Sequence, residues 1–302
     1  MGVFRTGFVQ LRVPDLAAAS KYYSEVLGLV ETDREADRVY FKGWDEHDHH
    51  SLIIRQDERP GLDCFALKAE GPEDLQQFEN KLETKGIKVD RISTGERLAQ
   101  GEGFSFEDRS GHRVVVYYTM KKVGNGLPLE NPDPYPQGLK GIAAPRLDHL
   151  LMTTPNAAED LDFYKDVFGF RLTEQVVTPD GNPIAIWLER SHTPHDIAFI
   201  PGRPGGFHHM AYWLDSWYEI GKAADVMAQH NVKIDAGPTR HGITRGHTIY
   251  FFDPCGNRNE VFTGGYVPDA DNPPITWSVD KLWTGIFYWD RSERGSFTEV
   301  YT

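Results

Sequence analysis

Residues 237–264 read GPTRHGITRGHTIYFFDPCGNRNEVFTG, and the architecture follows from this stretch. Thr248-Ile249-Tyr250-Phe251-Phe252 is β-branched and aromatic, Asp253-Pro254-Cys255-Gly256 is turn chemistry, and Arg258 to Thr263 returns as a second strand. Alternate side chains of a strand share a face, so Glu260 and Phe262 point the same way. If that face is the interior, Glu260 is a buried carboxylate, which is costly unless it is paired or bound to a metal.

The same stretch is written earlier in the chain. A gapless shift of 145 residues lays Phe106 on Phe251, Asp108 on Asp253, Gly111 on Gly256 and Arg113 on Arg258. The same shift lays Ala66 on Ala211, Lys88 on Lys233 and Asp90 on Asp235. A shift of 141 lays Pro14 on Pro155, Tyr23 on Tyr164 and Gly28 on Gly169. Both copies begin as a strand followed by a helix. Asp15 caps an expected helix over Leu16 to Leu27, stopped by Gly28. Asn156 with Glu159 three residues on is a capping box, and Gly169 is the matching stop. The chain is therefore two halves, each of two strand–helix–strands modules of roughly 55–65 residues. The expected division is 1–124 as a first module pair, 125–146 as a Pro/Gly-rich linker and 147–264 as a second module pair. Residues 265–302 form a tail with Trp277, Trp283, Phe287, Tyr288 and Trp289, too apolar for a disordered end and expected to dock on the second half.

Bulk composition removes several classes of function. The net charge of −13 argues against a nucleic-acid partner, whose phosphates want a basic surface. No apolar run approaches the roughly 18 residues of a membrane span, and no signal peptide is evident. The start matches a Met-Gly-x-x-x-Thr acylation pattern, but a first strand from Phe4 to Val13 explains it more simply. Two cysteines, Cys64 and Cys255, make no disulfide framework and fit a reducing cytoplasm.

The repeats supply partners for Glu260. In the second half, His149 lies in Leu147–Met152 and His209 in Phe207–Tyr212, at equivalent places of related modules. Two imidazoles and a carboxylate from three strands make a 2-His-1-carboxylate set, which leaves coordination positions open and suits Fe(II), with Mn(II) fitting the same ligands. The first half is an internal control. Phe8, Cys64 and Val115 stand at the positions of His149, His209 and Glu260, so its scaffold is kept without the ligands. His47, His49 and His50 also cluster, but in a charged loop read as a solvated face. His112 and His230 read as surface positions.

The four-module duplicated chain resembles the vicinal oxygen chelate superfamily. GPTRHGITRGHTIYFFDPCGNRNEVF, LDHLLM and FHHMAYW resemble the extradiol ring-cleaving dioxygenases within it. The resemblance spans essentially the whole chain and implies an α+β fold of the glyoxalase/bleomycin-resistance kind, four βαβββ modules forming two open barrels. It implies Fe(II) held by His149, His209 and Glu260, with O2 and a catechol as substrates, a 2-hydroxymuconic semialdehyde-type product and a homotetramer. Residue by residue, His195 matches the family's acid/base histidine, Tyr250 its tyrosine at the substrate oxygen, and His241 a histidine contacting a substrate hydroxyl. Two other readings keep the fold. An isomerase or thiol transferase would be expected to use a second carboxylate, where Val115 stands, and a metal-free binding protein would have no need of the ligand set.

Overall fold

The computed structural model describes residues 2–302. The first module comprises β1 (Val3–Val13), α1 (Leu16–Glu25), β2 (Val30–Arg34), β3 (Arg38–Lys42) and β4 (Leu52–Gln56). The second comprises β5 (Gly61–Ala69), α2 (Pro72–Thr84), β6 (Asp90–Ile92), β7 (Gly103–Glu107) and β8 (Arg113–Tyr117). The third is β9 (Arg146–Thr154), α3 (Ala157–Phe168), β10 (Arg171–Val177), β11 (Pro183–Glu189) and β12 (Ile197–Pro201). The fourth is β13 (Phe207–Trp213), α4 (Trp217–Gln229), β14 (Ile234–Arg240), β15 (Gly246–Phe252) and β16 (Arg258–Gly264). Beyond them lie β17 (Ile275–Ser278) and two short helices, α5 (Leu282–Ile286) and α6 (Gly295–Glu299).

Each half is one open sheet, ordered β2-β3-β4-β1-β5-β8-β7-β6 and β14-β15-β16-β13-β9-β12-β11-β10-β17. The two modules of a half join where their first strands pair antiparallel, β1 with β5 and β9 with β13. In every module the last strand returns parallel to the first. This α+β duplication is the one the repeats predict. One apolar cluster runs through both halves, drawing on Tyr23 and Phe41 as well as Tyr164 and Phe251.

Local chemistry sets the boundaries. Asp15 accepts a hydrogen bond from the Ala18 backbone at 2.9 Å and starts α1. The helix ends at Glu25, two residues short of the expected Leu27, because the carbonyls of Val26 and Leu27 are taken by the Ile142 and Ala144 backbones. Gly28 (φ +73°) is required there, since a Cβ would strike the Lys140 carbonyl. Asn156 caps α3 by accepting from the Glu159 backbone, while the Glu159 carboxylate takes the Asn156 side-chain amide rather than its backbone. Only half of the capping box forms.

The repeated turns are superposable in their bonding. The Asp108 and Asp253 backbones donate to His112 and Asn257 carbonyls, and Gly111 and Gly256 close the two turns at positive φ. Two histidine readings are corrected. His112 is buried, with Nδ1 3.3 Å from Asp108 and Nε2 donating to the Gly206 carbonyl at 3.2 Å, so it serves the contact between halves. His49 and His50 are buried too, while His47 is exposed. Their loop folds inward because Asp48 gathers three cations and the His50 ring packs against Phe8 and Tyr40.

Candidate metal centre and active-site cavity

The ligand set is a consequence of register. Tyr250 on β15 lies opposite Glu260 on β16, Glu260 opposite Ala211 on β13, and Ala211 opposite His149 on β9. These four form one row across adjacent strands, with side chains on one face. His209, two residues before Ala211, shares that face, and the small Ala211 leaves the middle of the row open. One ligand atom from each of His149, His209 and Glu260 falls within 4.8 Å of the others, and all three residues are buried. The first half builds the same row from Ser105, Val115 and Ala66, and there Phe8, Cys64 and Val115 pack into one apolar cluster.

Glu260 is only 1% exposed. Its Oε2 lies 3.1 Å from His149 Nε2 and 3.0 Å from His209 Nε2. Its Oε1 accepts from the Thr248 hydroxyl at 2.5 Å. Burial alone would raise the carboxyl's pKa, but the imidazoles of His149 and His209 outweigh it and hold it well below the ordinary value. His149 is desolvated as well, yet Asp148 at its Nδ1 (2.9 Å) and Glu260 at its Nε2 push it up to about 9. Burial dominates at His209, pulled down to about 4, and at His195, pushed well below 6.5.

The donor set fits a metal ion. The His209 Nε2 atom is buried without a hydrogen-bond partner although Glu260 is beside it. His149 donates through Nδ1 to Asp148, so its Nε2 faces the carboxylate as a lone pair unless a proton or another cation lies between. Two imidazole nitrogens converge on one carboxylate oxygen; a proton on His149 bridges only one of the two contacts, whereas a divalent cation in its place would hold all three atoms.

The three residues close one end of a cavity of about 270 Å³. Its walls are apolar, from Leu151, Ile184, Trp187, Ile200 and Ile243, and the tail adds Leu282, Ile286 and Phe297. Among the described residues, no Lys or Arg lines it. His195, Tyr250 and His241 all do. The His195 ring centroid lies 4.0 Å from that of His149, and its Nδ1 is buried and unpartnered. The Tyr250 hydroxyl donates to His241 Nε2 at 2.8 Å, and His241 Nδ1 donates to the Ile286 carbonyl. All six candidates from the sequence are thus brought together around one cavity. The sequence reading left out Asp148, Thr248 and the tail carbonyls. The adjacency of acid and imidazole in Leu147-Asp148-His149 was the one available signal for Asp148.

The chain belongs to the Glyoxalase/Bleomycin resistance protein/Dioxygenase superfamily, whose profile matches residues 5–116 and 146–261, one match in each half. Within that superfamily it is an enzyme of the extradiol dioxygenase type. It is 40% identical to metapyrocatechase from Pseudomonas sp. (strain CF600), over 100% of this chain and 99% of that protein. It is 32% identical to a manganese-dependent 2,3-dihydroxybiphenyl 1,2-dioxygenase from Geobacillus genomosp. 3, over 95% and 94% of the two chains. Among solved structures, the 2,3-dioxygenase LapB from Pseudomonas sp. KL28 superposes with a TM-score of 0.90 at 44% identity, covering 93% of this chain and 99% of that one.

Proposed function

We propose that this enzyme cleaves catechols bearing neutral, apolar substituents by extradiol insertion of O2, at Fe(II) held by His149, His209 and Glu260. The observation that carries the reading is the convergence of those ligand atoms within 4.8 Å at the end of an apolar cavity. Fe(II) is favoured by the resemblance, and Mn(II) by the manganese dependence of one relative. At about 270 Å³ the cavity falls just below the roughly 300–1,000 Å³ typical of ligand pockets, which suits a one-ring diol with a short substituent. A carboxylated ring would have to shed its hydration there with no cationic side chain to meet it.

When bound, the metal ion supplies a common seat for the diol and O2 and lowers the proton affinity of the diol hydroxyls. The chain's own groups do the rest. His195 is held neutral by burial, and its unpartnered nitrogen can take the proton that a diol hydroxyl releases and return it later. The Tyr250 hydroxyl donates to His241 Nε2 while the cavity holds no substrate, and its single proton would turn from that nitrogen to a developing oxyanion on the bound diol. His241 is fixed by the Ile286 carbonyl and orients the hydroxyl that reaches it. The apolar walls exclude water. We assign the first module pair (1–124) a scaffold role, 125–146 that of linker, 147–264 catalysis, and 265–302 closure of the cavity. We place the enzyme in the cytoplasm as a homotetramer, in keeping with its two free cysteines and its family.

Anaerobic purification with metal analysis, then addition of catechol and air, tests the reading. Stoichiometric iron and an O2-dependent yellow product are expected. Iron without colour would move the substrate to another diol, and no metal with no activity on adding Fe(II) back would overturn the assignment.

A further inference from the structure

His208, adjacent to a proposed ligand, makes two contacts that fix where protons lie. Its Nε2 is 2.7 Å from the Phe297 carbonyl of α6, and its Nδ1 is 2.6 Å from Nδ1 of His209. A carbonyl has no proton to give, so Nε2 of His208 carries one and donates it. The ring is wholly buried, a carbonyl and an imidazole face its two nitrogens and the Arg258 guanidinium sits on its own carbonyl, so a second proton would be a buried charge with no anion to meet it, and its Nδ1 is a lone pair. Two lone pairs cannot face each other at 2.6 Å, so Nδ1 of His209 bears a proton and donates it. That leaves Nε2 of His209 bare and aimed at the Glu260 oxygen 3.0 Å away.

We infer that His208 is a positioning residue, a relay by which the Phe297 carbonyl holds His209 in the tautomer that binds metal through Nε2. The inference rests on the metal reading above. The carbonyl is itself held rigidly. Arg258 donates to the Ser296 and Val300 carbonyls, both at 2.7 Å, and Thr302 exchanges two backbone hydrogen bonds with Phe207. The repeat shows that this is an addition. Arg258 pairs with Asp235 as Arg113 pairs with Asp90, but the first-half pair is exposed and the second is covered by the tail. In that first half Asp63 stands at the place of His208, and no imidazole follows it.

Two variants of the full chain separate the relay from simple packing. His208→Leu removes both contacts, whereas His208→Asn keeps an oxygen where Nδ1 was, able to accept from His209. Zn(II) is titrated into metal-free protein against a chromophoric chelator. His208→Leu is expected to bind about 10–100-fold more weakly and His208→Asn within about threefold of wild type, as for loss and retention of a ligand's hydrogen-bond partner. Long-range ¹H–¹⁵N spectra of metal-free wild type are expected to show His208 protonated on Nε2 and His209 on Nδ1, a readout that does not depend on any variant folding. Equal affinity of wild type and His208→Leu, or a His208 proton on Nδ1, would overturn the relay. Wild type that binds no Zn(II) would instead overturn the metal site.

Discussion

The Tyr23 hydroxyl, on a helix of the first half, donates to Asp253 Oδ2 in a turn of the second at 2.9 Å. Tyr164 does the same in reverse, donating to Asp108 at 2.7 Å. The tyrosines are equivalent under one repeat and the aspartates under the other, so the halves grip each other through a reciprocal pair. Tyr23→Phe leaves a buried carboxylate one donor short, and a hydrogen bond to a charged group contributes about 1.5–3 kcal/mol. A fall in urea midpoint of corresponding size is expected for Tyr23→Phe and for Tyr164→Phe. An unchanged midpoint in both would mean the grip contributes nothing.

Glu260→Gln keeps shape and removes charge. Metal affinity should fall by more than the roughly 10–100-fold that losing an outer partner costs, as read by metal analysis after dialysis. Retained stoichiometric metal would contradict the ligand role. The converse change, Val115→Glu, places a carboxylate in an apolar cluster where Phe8 and Cys64 stand at the positions of the two ligand imidazoles. It should bind no metal and cost about 3–5 kcal/mol, the penalty of an uncompensated buried charge.

His195 touches none of the proposed ligand atoms through a hydrogen bond, so His195→Phe should leave metal content at the wild-type level. Turnover should drop by about 10²–10⁴, the usual contribution of a positioned acid or base. Single-turnover rates under saturating catechol and O2 check this, and an unchanged rate would remove the role.

Asp48 gives a pH dependence away from the cavity. Burial raises its pKa, but the ammonium groups of Lys122 (2.5 Å) and Lys68 (2.6 Å) and the Arg5 guanidinium (2.5 Å) outweigh it and hold the carboxyl below its ordinary value. A lowered folded-state pKa means stability that is fully present above the unfolded value near about 3.9 and is lost as pH falls through the folded one. Asp48→Asn should cost about 2 kcal/mol at pH 7, less than a fully buried pair because Lys122 can turn to solvent. The gap from wild type should narrow in chemical denaturation series carried below about pH 4. A gap independent of pH would show that the charge is not the cause.

Much of this was readable from the chain, for identifiable reasons. The turns at Asp108 and Asp253 need a glycine at positive φ, so Gly111 and Gly256 stay visible across the duplication. Glu260 stood out because a strand's period of two put it on the face of Phe262. What period cannot show is which strands are neighbours. That Ala211 lies between Glu260 and His149 is a matter of register between segments 49 and 62 residues apart, and only the fold reveals it. Polarity misled where it is neutralised inside. Asp48 drew its loop inward through three cations, and His112 found partners on both halves. The role of His208 was hidden because its meaning lies in a backbone carbonyl 89 residues further on.

The order of those positions has a consequence for how the protein is made. Every proposed ligand precedes residue 261, whereas the carbonyls that orient His241 and His209 belong to Ile286 and Phe297. Folding during synthesis proceeds from the N-terminal side, so the strands can form before the segment that sets the imidazoles has emerged. Metal capture at the proposed site would then be a property of the finished polypeptide, and a nascent or clipped chain would carry the proposed ligands without the instructions for using them.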